Sequence, residues 1–350
     1  MLAKLAYDVP EGADWWYEPK WDGFRALIFR DGDEVEIRSR NDKSLTRYFP
    51  EVLEPLRRHT PQRCVLDGEL VIATDSALEF DFLSQRIHPA ASRIELLSRE
   101  IPATFVAFDL LALDETDLRQ FAFSDRRRLL EAALEGAKGR VMITPVTRDA
   151  TQARDWYERF EGAGFDGVMA KPGASTYRED ERVMVKVKHR RTTDCVVGGF
   201  RWHKVEGTGV GSLLLGLYDD AAVLHHVGVA SGFSAAVRKE LEVELAPHRL
   251  PHAELDSHPW AAAPGLADEG GQRRPGAQSR WTGTRELAWE PLRIGLVAEV
   301  SYEHMQGDRF RHTARFLNWR PDRDPESCTY AQLHVPAPVE LAWFRHDNAE

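Results

Sequence analysis

Residues 18–25 read Glu-Pro-Lys-Trp-Asp-Gly-Phe-Arg. The segment sets Lys20 between two carboxylates, Glu18 and Asp22, with a glycine at Gly23 and Arg25 two residues further on. A free lysine has a pKa of about 10.4, so at pH 7 only about one in 2,500 carries the neutral amine that can act as a nucleophile. Burial, neighbouring cations or a bound metal would favour the amine, whereas carboxylates alone oppose it. Gly23 is expected to let the backbone turn so that Arg25 points to the same side as Lys20. Taken alone, Trp-Asp-Gly-Phe would suit a charged hairpin turn equally well.

The same chemistry recurs downstream in a fixed order. Asp67-Gly68-Glu69-Leu70 follows a short apolar run, then come Phe105-Val-Ala-Phe-Asp-Leu-Leu111, Asp166-Gly-Val-Met-Ala-Lys171 and Val185-Lys-Val-Lys188. Each motif is weak, but their order leaves little room for chance. Together with Lys20-x-Asp22-Gly23-x-Arg25 the set resembles the covalent nucleotidyltransferases, the superfamily of ATP-dependent DNA ligases, RNA ligases and mRNA capping enzymes. The opening Met1-Leu-Ala-Lys4 and the stretch from Arg311-His-Thr-Ala-Arg315 to Trp319-Arg-Pro-Asp322 are most similar to the small bacterial ligases of the ligase C type.

The resemblance implies roles for individual residues. Lys20 is the expected nucleophile, becoming joined to AMP from ATP. Glu18 would recognise the adenine amino group, and Phe108 would lie against the adenine face. Arg25 would contact the nucleotide and later the 5′-phosphate of a nick, since a guanidinium binds phosphate oxygens in pairs. Arg40 matches a Ser-Arg motif, although Asp42 stands where a glycine is expected. Glu69 and Asp166 are the expected ligands for Mg²⁺ or Mn²⁺, Asp166 being one methylene shorter than the glutamate of many relatives. Lys171 is grouped with the nucleotide contacts. Lys186 and Lys188, two apart on a strand, would face Lys20 together, bind the α-phosphate and supply the cations that the nucleophile needs. Arg311 and Arg320, with Arg315 as a lesser candidate, would close over ATP.

Composition bounds the setting. The chain has 350 residues and a formal charge of −10, which at first sight disfavours a nucleic-acid partner. Local patches decide binding, however, and from Arg182 to Lys204 seven Arg or Lys face a single Asp194. Three cysteines, 64, 195 and 328, show no metal-ligand spacing, so disulfides and structural zinc are not expected. No signal peptide or apolar run of membrane-spanning length is evident, which points to a soluble, cytoplasmic protein, expected to be a monomer.

The mixed pattern of strands and helices predicts an α+β fold: an adenylation domain of antiparallel sheets with flanking helices over 1–189, a hinge at 190–194, an all-β OB-fold barrel over 195–335, and a tail at 336–350. Trp21 to Arg40 reads as a hairpin turning at Asp31-Gly32-Asp33, and Ser124 as the N-cap of a helix running to Leu134. His248 to Arg280 is expected to form a long surface loop, and His225-His226 to lie on a strand surface. The implied activity is ATP-dependent sealing of nicked duplex DNA, alongside DNA-repair proteins. RNA ligation and GTP-dependent capping remain alternatives within the superfamily, and a non-catalytic nucleic-acid-binding protein is the rival outside it.

Overall fold

A computed structural model describes residues 1–74, 77–189, 191–260, 274–275 and 288–333. Its described residues divide into two compact units, 1–189 and 191–333.

The first unit contains two sheets. One is four-stranded, in the order Leu2–Ala6, Arg182–Val187, Val168–Pro172, Trp15–Pro19. The other runs Glu34–Ser39, Phe24–Asp31, Arg63–Val71, Thr104–Leu113, Thr116–Asp117, with Val141–Ile143 also pairing with Thr104–Leu113. The expected antiparallel character needs correction at two places. Leu2–Ala6 lies parallel to Arg182–Val187, and Val141–Ile143 parallel to Thr104–Leu113. The chain passes from the first sheet to the second between Pro19 and Phe24, so Lys20 sits in the crossover. The hairpin reads as expected, Phe24–Asp31 pairing with Glu34–Ser39.

Each sheet buries its own core. Ile28, Ile37, Leu66, Leu70 and Phe105 pack with Phe49, Val52 and Leu56, the last two on the helix Pro50–His59. Tyr17, Val168 and Ala170 pack with Trp21, Phe165 and, from the helix Ala150–Arg159, Trp156. Full burial of side chains of this size stabilises by about 1.5–3 kcal/mol each. The helix Phe123–Ala133 begins two residues before the expected position, with Ala122 rather than Ser124 as N-cap. The Ser124 amide instead donates to Gly173 O at 3.0 Å. This helix buries two consecutive arginines, Arg126 and Arg127.

In the second unit the strands run Leu224–Ser231, Val210–Tyr218, Arg191–Trp202, Val297–Tyr302, Arg315–Trp319. Among the described residues the two edge strands share no ladder, and one bridge, Ala230 with Ala314, links these edges, so the five strands form an OB-fold-type sheet without full barrel closure. The unit is not purely β, because the helix Ala235–Leu245 packs Leu241 and Leu245 into its core, with Ser234 accepting from the Val237 amide. The expected hinge also differs. Arg191–Asp194 is already strand, paired with Tyr302–Glu299, so these polar residues gain ladder hydrogen bonds instead of forming a loose joint.

His225 and His226 are buried, contrary to the expected surface position. Both faces of their strand are covered: His225 lies 6.2 Å from the Tyr330 ring and bonds Asp219 at 2.9 Å, while His226 lies 5.4 Å from Trp260. Burial pushes the His226 pKa down to about 4. Of the expected surface loop, 248–260 contains short helical turns; 261–273 and 276–280 lie outside the described residues, as does the tail 336–350. Among the described residues no helix is long and apolar enough to cross a membrane.

Gly23 serves close approach rather than a left-handed turn: a Cβ there would overlap the Leu70 carbonyl oxygen and press on Glu69 and Val71. Gly32, by contrast, has φ +59° and open space around it. Gly23→Ala should therefore lower stability by about 1–3 kcal/mol through overpacking against backbone. Gly32→Ala should lower it by only about 1–2 kcal/mol, the left-handed penalty alone. Urea denaturation of both variants tests the ranking.

Candidate active site

Lys20 is fixed by its backbone before its side chain is considered. Its amide donates to Gly167 O at 2.8 Å and its carbonyl accepts from the Asp166 amide at 2.8 Å. Gly167 has φ +121°, and a Cβ there would overlap Val187 O, so only glycine permits this clamp. The neighbouring Trp21 is buried, donates Nε1 to Thr144 Oγ1 at 2.9 Å and meets the Phe165 ring at 4.7 Å. These contacts bring the Lys20 ammonium against Asp166 Oδ2, which also holds Lys188 Nζ at 3.0 Å.

One cavity of about 350 Å³ gathers most of the expected site. Its lining includes Glu18, Lys20, Arg25, Arg40, Glu69, Phe108, Lys171 and Lys186. Asp166 and Lys188 are not in that lining; Asp166 pairs with Lys20 and with Lys188 beside it. Arg311 and Arg320 belong to the second unit. There Arg320 bonds Asp194 at 3.1 Å and Asp322 at 2.7 Å, while Arg323 shares Asp194 at 3.1 Å. Arg315 opens the last strand, and the Arg311 amide donates to His304 O at 2.9 Å.

Phe108 enters the cavity because its strand is irregular. Asp67 pairs with Asp109 and Gly68 with Ala107, so Phe108 is the extra residue of a β-bulge and its ring leaves the core. Asp42 is likewise explained by backbone. At φ +56° it adopts the left-handed conformation that a glycine would supply, and it accepts from Arg38 Nη1 at 2.7 Å.

Three carboxylates around the cavity are buried with cationic partners. Glu18 meets Lys171 Nζ at 2.6 Å and Arg127 Nη1 at 3.5 Å, while burial raises its pKa more than these cations lower it. Lys171 also lies 4.6 Å from the Phe108 ring centroid and 4.8 Å from that of Phe123. It is thus a buried pillar beneath the cavity wall rather than a free cation. Asp109 is held by Arg126 at 2.8 and 2.9 Å. Asp67 takes Arg25 through Nε at 2.9 Å and Nη2 at 2.5 Å. Arg25 further donates to Tyr177 Oη at 3.1 Å and Met1 O at 2.9 Å, so four of its five N–H donors are engaged. Its fork is not available to grip two phosphate oxygens, and one N–H remains.

The basic stretch Arg182–Lys204 is not uniformly offered to solvent. Lys188 is engaged by Asp166, and Arg191 is buried, donating to Glu303 O. Sequence reading missed Trp21, Asp67, Arg127, Tyr177 and the Met1 carbonyl. Trp21, Asp67 and Met1 each stand in a quoted motif, whereas Arg127 and Tyr177 carry no such signal.

The donor set fits a divalent cation at Glu69 better than at Asp166. Burial pushes the Glu69 pKa up to about 8, opposed by Lys20 and Arg25 and reinforced by Asp67 and Asp22. A carboxyl in that state binds a cation by giving up its proton. Asp166 is committed to two lysines. Among the described residues no group of three or more His, Cys, Asp or Glu could hold a metal, so remaining donors would be phosphate oxygens and water.

Glu69 yields a pH test. Its folded pKa lies above its unfolded value, so between about 4.5 and 8 the folded state holds more protons, and stability falls as pH rises through that window. Glu69→Gln should flatten this slope, gaining stability over the parent at pH 8 more than at pH 5. Denaturant midpoints at the two pH values check the sign.

Comparison with known proteins identifies the family. Residues 1–188 match the ATP dependent DNA ligase domain, and 206–323 the ATP dependent DNA ligase C terminal region. The chain is 51% identical over 337 residues to DNA ligase C2 of Mycolicibacterium smegmatis, covering 96% of this chain and 94% of that protein. It is 50% identical over 348 residues to DNA ligase C of Mycobacterium tuberculosis, covering 98% and 95%. A solved Lig E DNA ligase shares the fold at a TM-score of 0.55 and 18% identity, over 91% of this chain and 98% of that one. The chain belongs to the ATP-dependent DNA ligase family.

Proposed function

We propose that this ligase works through a covalent intermediate on Lys20 and seals nicks in duplex DNA. The observation that carries the proposal is the convergence of Lys20, Glu18, Phe108, Glu69, Arg40 and Lys186 on one cavity, with Asp166 and Lys188 at the lysine's ammonium. In the first step Lys20 gives up a proton, for which Asp166 is the nearest acceptor. Its nitrogen then bonds to the α-phosphorus of ATP as the bond to pyrophosphate breaks. The 5′-phosphate of the nick next displaces the lysine and takes AMP, and the 3′-hydroxyl displaces AMP to form the phosphodiester.

Phe108 offers a face for the base and Glu18 an acceptor at its edge. Lys186, with Arg40 and the one N–H left on Arg25, supplies positive charge for the triphosphate. A divalent cation, held by Glu69, would neutralise phosphate charge. Arg311 and Arg320 would assist by contacting ATP, which requires Arg320 to leave Asp194.

The test is sealing of a nicked DNA duplex with ATP and Mg²⁺. The intact protein should seal DNA in preference to a broken RNA of the same sequence, and Lys20→Ala should seal neither. Sealing by Lys20→Ala, or a preference for RNA, contradicts the proposal. DNA binding should weaken steeply as salt rises, because lysines and arginines on phosphates release counterions.

A further inference from the structure

Glu18 is a buried carboxylate held between two buried cations, and only one of the two stands in a motif that sequence reading singled out. Lys171 contacts Oε2 at 2.6 Å and Arg127 Nη1 lies 3.5 Å from Oε1. Arg127 is itself anchored, donating Nε to Glu131 at 2.7 Å and Nη2 to Thr144 O at 2.8 Å. It does not line the cavity, and Glu18 is the lining residue it meets directly. The third charged group near Glu18 is Asp109, neutralised by its paired Arg126.

The charge on Glu18 decides which purine it accepts. An ionised carboxylate only accepts hydrogen bonds, whereas a protonated one also donates. Adenine presents an amino donor at its six position, and guanine presents a carbonyl acceptor at the same place. Ionised Glu18 therefore attracts the adenine edge and opposes guanine, while neutral Glu18 could donate to the guanine carbonyl. Burial favours the neutral form and the two cations oppose it.

We infer that Arg127 is a specificity-determining positioning residue, which selects ATP over GTP by keeping Glu18 an acceptor. This inference rests on the proposed reading that Glu18 faces the base. The adenine amine and the Arg127 guanidinium then contact one carboxylate from opposite sides, the first inside the cavity and the second behind its wall.

The experiment measures transfer of label to the full-length protein from α-labelled ATP and from α-labelled GTP, each with Mg²⁺, from pH 5.5 to 9. In the parent, preference for ATP should fall as pH drops, because the acceptor form is the one lost on protonation. Arg127→Met should reduce the ATP-to-GTP ratio by on the order of tenfold at pH 7, the scale set by leaving a buried polar group mismatched. The same variant should move the pH at which preference is lost upward, and Arg127→Lys should restore most of the ratio. If Arg127→Met lowers labelling by both nucleotides equally and leaves the ratio unchanged, Arg127 is only structural and the inference is overturned. Should Arg127→Met fail to fold, the decision passes to Arg127→Lys and the parent's pH profile, where a ratio independent of pH overturns it equally. Glu18→Gln separates the two levels: an unchanged ratio in that variant removes the reading of Glu18 itself, whereas a lost ratio with Arg127→Met unaffected removes the role of Arg127 alone.

Discussion

Two lysines sharing one carboxylate is the constraint on which the site depends. Asp166 receives Lys20 and Lys188, and the backbone of Asp166-Gly167 clamps Lys20 on both sides of its peptide. The two ammonium groups could not approach one another without that carboxylate between them, since unscreened like charges in a partly buried site repel strongly. The arrangement also fixes Lys20 in place, its side chain paired with Asp166 where it lines the cavity.

The same logic extends through the walls of the cavity. Glu18, Asp67 and Asp109 are all buried, and each is met by arginine, by lysine or by both. Removing one member of such a pair typically destabilises by about 3–5 kcal/mol, because the remaining charge has no partner. An apolar replacement of the whole pair is often tolerated, so stability alone does not account for three of them. Their effect is positional. They fix Arg25 beside Glu69, to which it pairs across the strands, hold the Phe108 bulge in place through Asp109, and set the charge of Glu18.

Much of this was legible in the sequence where chemistry and spacing coincide. Lys20, Glu18, Glu69, Phe108, Arg40 and Lys186 do share one cavity, and the period-two pattern of Trp21 to Arg40 is a hairpin. What escaped was decided by non-local geometry. The parallel pairing of Leu2–Ala6 with Arg182–Val187 joins segments from opposite ends of the first unit, and no local pattern announces it. Arg127 looks like any charged residue of an amphipathic helix until the helix is packed against Glu18. Gly23 carries a turn-like motif, but its reason is the nearby Leu70 carbonyl. His225 and His226 are adjacent on one strand and so face opposite ways, yet Tyr330 and Trp260 cover them from both sides. The pairing of Asp166 with two lysines is likewise non-local, since it depends on how three strands converge.

The most direct test of the account is peptide mapping by mass spectrometry after incubation of the protein with ATP and Mg²⁺, without DNA. The account predicts one adenylyl group on the peptide containing Lys20, joined through nitrogen and released on adding nicked duplex. An adduct on a different residue, or none at all while nick sealing proceeds, would contradict it.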